Sequence, residues 1–213
     1  MNFSISTQIN KKIPKQRFYD NLSVSESIKK LFVEQIKSIY WQNKISNQTI
    51  NINIGKNVLE IEVFRIVLNQ AEIDEALLKF IDKGIPYHII FILEFDQKIK
   101  LCTAYKEISQ SGSCNIISKY FYTEWDDEKN IQLEIIGLSL DAVYEGFVRQ
   151  IAKDKIENKS RDIKIDIEIS QKIEKLNKEI EKLEKQARAE KQPKRKFELV
   201  QKMNKLKKEA EHI

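Results

Sequence analysis

The spacing of apolar residues changes several times along this chain, and each change marks a predicted element. Phe3 and Ile5 alternate with polar neighbours and predict a short edge strand. Ile13-Pro14-Lys15 turns the chain, because proline lacks a backbone donor and restricts its predecessor. Phe18 and Leu22 follow as anchors. Ser23 with Glu26 reads as a capping box, and Ile28, Leu31, Phe32, Ile36 and Ile39 line one side of a helix over residues 24–38. Extended chain begins at Ile39-Tyr40-Trp41. Strict alternation over residues 49–54, with Ile50, Ile52 and Ile54 on one side, predicts a half-buried strand.

The most apolar part of the chain, residues 58–105, reads as strand, helix, strand, strand. Residues 58–68 make a strand whose sides both carry apolar groups, one interrupted by Arg65 and the other by Glu60 and Glu62. Ile73, Leu77, Phe80 and Ile81 form a helical stripe that closes at Gly84, before Pro86. The near-continuous apolar run 87–95 fits a central strand covered on both faces, and Asp96-Gln97-Lys98 turns it into a partner strand over residues 99–105. A Ser- and Gly-containing loop over residues 107–118 precedes an aromatic extended stretch, residues 120–125. Ile131, Leu133 and Ile135 alternate as a last strand. Ser139 then caps a helix whose stripe is Leu140, Val143, Tyr144, Phe147, Val148 and Ile151. The fold class is α/β or α+β: a mixed sheet of about five to seven strands with packed helices, over residues 1–152.

Residues 153–213 form a helical tail of different composition. Ile169, Ile173, Leu176, Ile180, Leu183 and Ala187 repeat at alternating spacings of four and three, the heptad pattern of a coiled coil. Pro193 breaks the pattern inside a basic run, and Leu199, Met203, Leu206 and Ala210 make a second stripe. The two segments suit either an antiparallel hairpin within one chain or pairing with a second subunit. The net charge of +5 is concentrated here: the tail holds 19 basic and 13 acidic residues, and the rest of the chain 18 and 19.

Composition narrows the chemistry. Cys102 and Cys114 make no disulfide framework, and with His88 and His212 they make no zinc set. No run is long enough to span a bilayer and none follows the first residues as a signal peptide would, so a cytoplasmic protein with no membrane partner is expected. The five glycines are scattered, with no phosphate-binding loop.

The densest polar constellation is Glu60, Glu62, Asp82, His88 and Lys106, with Trp41 and Lys44 nearby. Glu60 and Glu62 could hold Mg2+ with Lys106 or Lys44 beside the attacking water, as a metal-dependent nuclease requires. The acid-x-Lys pairing usual in such enzymes is absent, and the same acids could simply pair with Arg65, Lys44 or Lys106. Trp41, Tyr120, Tyr122 and Trp125 could stack on single-stranded nucleic acid, or belong to the core. Lys191, Lys194, Arg195 and Lys196 could contact phosphates. The stripe Ile169, Ile173, Leu176, Ile180 and Leu183 has to be buried against something, which makes it the candidate oligomerisation surface.

Nearly the whole chain resembles DUF4391, an uncharacterised bacterial domain family. The resemblance rests on Ile13-Pro14-Lys15 with Phe18, Lys29-Lys30-Leu31-Phe32, Trp41 with Lys44, and Glu60-Ile61-Glu62-Val63-Phe64. It continues in Ile81-Asp82-Lys83, Ile85-Pro86-Tyr87-His88, Ala104-Tyr105-Lys106, Tyr122-Thr123-Glu124-Trp125, the helix from Gly137 to Gln150, and Glu190-Lys191-Gln192 with Arg195-Lys196 and Glu198. The family's association with helicases, DNA methyltransferases and restriction components implies a role in DNA modification or anti-phage defence. The expected function is that of an accessory or adaptor subunit, needing no cofactor, that assembles with a larger helicase, methyltransferase or nuclease subunit. A homodimer through the tail and direct DNA contact are further expectations. The alternatives are the metal-dependent nuclease and a non-specific nucleic-acid binder.

Overall fold

A computed structural model of the chain describes residues 3–21, 24–108, 114–156, 160 and 162–213. Two compact units divide it, Met1–Lys153 and Asp154–Ile213. The first is built on a mixed sheet of six strands, with spatial order equal to chain order: β1 (Gln8–Ile13), β2 (Ile36–Ser46), β3 (Glu60–Leu68), β4 (His88–Phe95), β5 (Lys98–Ile108) and β6 (Cys114–Tyr122). Every neighbouring pair is antiparallel except β3 and β4, which run parallel and are joined through helix α3 (Glu75–Lys83). A parallel pair needs such a crossover, whereas β4 and β5 need only the tight turn at Asp96 and Gln97, both at positive φ.

Strand parity distributes the core. Phe64, Ile66 and Leu68 of β3 and Ile89, Phe91 and Leu93 of β4 join a buried cluster with Phe18 of helix α1 (Gln16–Asn21), Phe32 of helix α2 (Glu26–Gln35), and Leu77, Leu78 and Ile81 of α3. The intervening Ile90 and Ile92 are buried on the opposite face. Helix α4 (Leu140–Ala152) packs against β3, β5 and β6, and its stripe Leu140, Val143, Tyr144, Phe147, Val148 and Ile151 is buried throughout. A strand covered on both sides has no polar face, and hence β4 is apolar without interruption from Ile89 to Leu93.

In the second unit, helix α5 (Ile163–Ala189) turns at Glu190–Gln192 into helix α6 (Pro193–Glu211) and packs on it as a hairpin. Lys172 pairs with Glu209 at 3.7 Å and Lys202 with Glu179 at 3.6 Å, which sets the two helices antiparallel. Pro193 opens α6 at its first turn, where the lost N–H has no intrahelical partner anyway. Ile180, Leu183 and Ala187 are buried, and Leu199, Met203, Leu206 and Ala210 half-buried.

Several local expectations are corrected. Ile5–Thr7 is a 3-10 turn, and the edge strand starts at Gln8. Helix α2 stops at Gln35, so Ile36 and Ile39 belong to β2; they meet the same core from the sheet. Ser25 accepts a capping hydrogen bond from the Ile28 N–H; Leu22 and Ser23, where the anchor and the cap are expected, lie outside the described residues. Residues 49–54 are no strand. The Thr49 hydroxyl receives the Ser46 N–H and donates to the Lys44 carbonyl, folding the chain back on the end of β2. Glu107–Ile108 and Cys114–Ser118 are strand, not loop; Ser109–Ser113 lie outside the described residues. Ile131 and Leu133 are buried without forming a strand, because the Gln150 side chain takes the place of a ladder, accepting from the Glu134 N–H and donating to its carbonyl, both at 2.9 Å.

One contact joins α4 to the turn before β3. The Asp141 carboxylate accepts the backbone N–H groups of Lys56, Asn57 and Val58 at 2.7, 3.1 and 2.8 Å. A Cβ at Gly55 would lie 2.3 Å from Asp141 Oδ1 and 2.7 Å from the Val58 carbonyl, so the turn closes this tightly only with glycine. Asp141→Ala strands three donors together and is expected to cost about 1–3 kcal/mol in urea unfolding. An unchanged midpoint would show that the contact contributes nothing.

Candidate functional site

β2 and β3 bring four nominated residues together. In their register Lys44 lies opposite Glu62 and Ser46 opposite Glu60, with a bulge between Trp41 and Asn43. In a regular strand, residues three apart point to opposite faces. The extra residue of the bulge puts Trp41 and Lys44 on the same face, the one that carries Glu60 and Glu62. Trp41 Nε1–H donates to Glu62 Oε2 at 2.6 Å, and the Lys44 ammonium pairs with Glu60 at 2.7 Å. Glu62 is 4% exposed. Burial pushes its carboxyl up to about 7, with the neighbouring Glu60 adding to the shift; the Trp41 hydrogen bond and the Lys44 charge oppose it. Glu62 is therefore an acid able to gain or lose a proton near neutrality.

Lys106 lies in a second network. Its ammonium, almost fully buried, donates to Asp82 Oδ1 and to the Tyr87 carbonyl, each at 2.5 Å. The other Asp82 oxygen accepts from the Tyr120 hydroxyl at 2.7 Å. His88 beside it is buried against Tyr144, ring centroids 4.3 Å apart. Burial and then the Lys106 charge lower its pKa to about 4, so the ring is neutral at ordinary pH. The strands thus divide the polar constellation in two. Glu60, Glu62, Trp41 and Lys44 are held by one another, and Asp82, Lys106 and Tyr120 by one another. Among the described residues no group of three or more His, Cys, Asp or Glu side chains is placed to hold a metal ion.

The remaining candidates are placed as follows. Arg65 donates to Gln42 at 2.8 Å and pairs with Glu94 at 2.7 Å and Glu128 at 2.5 Å, so it does not serve Glu60 or Glu62. Tyr120 is buried, and Trp41, Tyr122 and Trp125 pack against the same core cluster, with the Lys100 ammonium 4.8 Å from the Trp125 ring centre. These aromatics do not share one open stacking surface. Lys191 and Arg195 line a hollow of about 840 Å³ at the α5–α6 turn, with Gln186, Glu198 and Lys202; Lys194 and Lys196 are exposed elsewhere on α6. Tyr120 completes the Lys106 network, a role the sequence does not announce, because one aromatic in a strand carries no signal that its hydroxyl reaches a helix carboxylate.

Two outcomes test this geometry. The folded Glu62 carboxyl holds a proton to about pH 7, against 4.5 for an ordinary glutamate. The stability this group confers is thus complete below 4.5 and lost as pH rises through 7. Glu62→Gln escapes that loss, so between about pH 5 and about pH 8 the variant should gain about 2–3 kcal/mol on the wild type in urea unfolding. A difference that does not change with pH rejects the buried acid. Lys106→Met leaves the buried Asp82 carboxyl without its cation and is expected to cost about 3–5 kcal/mol, most of it recovered when Asp82→Asn is added. Failure of the double variant to recover would show that the pair is not coupled.

Comparison with curated proteins finds no match, and neither does comparison with solved structures. A family model does match. It is described as a domain of unknown function, DUF4391, and it spans residues 1–209, so the chain belongs to the DUF4391 family.

Proposed function

We propose that this protein is an accessory subunit of a bacterial DNA-processing or defence system, acting by assembly with a larger helicase, methyltransferase or nuclease subunit and by contact with DNA. The observation that carries this reading is the unevenly covered stripe of α5. Ile180, Leu183 and Ala187 are buried, while Ile169, Ile173 and Leu176 are half-buried and Ile165, on the same stripe, is 46% exposed. Hydrophobic side chains in a continuous row, left partly open, favour a partner helix that completes their burial. The nuclease alternative draws less support, because Lys106 is engaged by Asp82 and Lys44 by Glu60.

The test is affinity capture of the full chain at native expression, with the mass of the purified complex measured. A DNA-processing subunit should co-purify in fixed ratio, and Ile169→Lys with Ile173→Lys should reduce its recovery at least tenfold. A dimer dissolved by the same substitutions would assign the row to a second copy of this chain. A monomer with no such companion overturns the proposal, as would Mg2+-dependent DNA cleavage lost in Glu60→Gln with Glu62→Gln.

A further inference from the structure

The charge of the hairpin is not shared evenly. Within α5, seven basic side chains meet six acidic ones; within α6, seven basic meet three acidic. The acidic groups of α6 also avoid one side of it. Leu199, Met203, Leu206 and Ala210 form its half-buried stripe, and Lys202 and Glu209 reach across to α5. Turning about half a circle from that stripe at 3.6 residues per turn brings Lys194, Phe197, Gln201, Asn204, Lys205 and Lys208 to the outward side. All six are exposed, Phe197 at 62%, and none is acidic. Among the described residues no salt bridge engages Lys194, Lys205 or Lys208.

We propose that this outward side of α6 enters the major groove of duplex DNA, with Lys194, Lys205 and Lys208 on phosphates and Gln201 and Asn204 on base edges. The inference deepens the DNA-contact half of the proposed function and stands whether or not a partner subunit is found. Charge complementarity argues for a polyanion. The dimensions argue for duplex DNA, because the stripe runs straight for about 21 Å and the major groove is about 12 Å wide, enough for one helix. The amide side chains match the adenine edge, and Phe197 is suited to a thymine methyl. An RNA duplex has a groove too narrow for a helix. A single strand is gripped by several aromatic platforms, where this side offers one. A membrane surface would take an apolar face, which α6 turns toward α5.

The experiment is fluorescence anisotropy of the full chain with a duplex of about 20 base pairs, the matching single strand and the matching RNA duplex, over a salt series. The DNA duplex should bind tightest. Its affinity should fall with salt, and Lys194→Gln, Lys205→Gln and Lys208→Gln together should weaken binding at least tenfold and lower the log–log slope by about 2–3. The same three-charge change on α5, at Lys175, Lys182 and Lys185, should leave affinity within about twofold. An A·T-containing duplex should be preferred to one of G·C alone, and Gln201→Ala with Asn204→Ala should abolish that preference. Circular dichroism confirms that each variant keeps its helices. Equal losses from the two triple variants, tighter binding of single strand or RNA, or no difference between A·T and G·C duplexes would each overturn the proposal.

Discussion

A lysine ammonium taken out of water must find acceptors or lose its proton, and much of the first unit is arranged by that requirement at Lys106. Two of its three donors are taken by the Asp82 carboxylate and the Tyr87 carbonyl. Asp82 belongs to the last turn of α3, Tyr87 immediately precedes β4, and Tyr120, which takes up the second Asp82 oxygen, is on β6. One buried ion pair therefore ties the crossover helix to β5, to the start of β4 and to the edge strand. The hydrophobic effect is non-directional and does not by itself specify where the end of α3 meets the sheet. The pair is directional and fixes the end of the helix. This also explains why the residue best suited in type to be a catalytic lysine is poorly placed to act as one: its charge is already committed.

The second polar group lies on the same face but obeys a different constraint. Glu60 and Glu62 are two residues apart on β3 and so share a side, where two carboxylates repel. The β2 bulge supplies Lys44 to one and Trp41 to the other. One full cation is spread over two acids, and burial raises the proton affinity of Glu62, the carboxyl that receives only an indole N–H. The split of roles follows from the burial and the partner each position provides, not from the acids themselves.

The parts of this arrangement legible in the sequence are those set by local periodicity. The β4 run, the α3 and α4 stripes and the break at Pro193 each follow from spacing within one segment. So does the identity of the polar residues, with Lys44 among the partners open to Glu60 and Glu62, but not which partner each acid takes. Pairing depends on register, and the bulge at Gln42 shifts register by one residue without any signature in composition. The errors share a cause. Ile36 and Ile39 continue the α2 stripe by number, and residues 49–54 alternate like a strand, yet neither segment is decided by its own pattern. The Thr49 hydroxyl and the Gln150 amide saturate backbone groups that would otherwise need a neighbouring strand, and a side chain reaching across the fold cannot be read from spacing.

The hairpin shows how one helix can satisfy two different demands. A heptad stripe needs a partner with an apolar side of its own, and α6 supplies Leu199, Met203, Leu206 and Ala210. Had α6 existed only to cover α5, its opposite side would be free to mix both signs of charge, as α5 does with its pairs Glu174–Lys178, Glu181–Lys185 and Glu184–Arg188. Such i,i+4 pairs stabilise a solvated helix and keep it soluble. Among the described residues α6 has no salt bridge within itself; Lys202 and Glu209 pair with Glu179 and Lys172 of α5. Leaving lysines uncompensated along one side sacrifices that local stabilisation and raises the repulsion between them. A helix so arranged is more stable when a polyanion lies along it, because the phosphates supply the missing counter-charges without competing for the side already packed on α5.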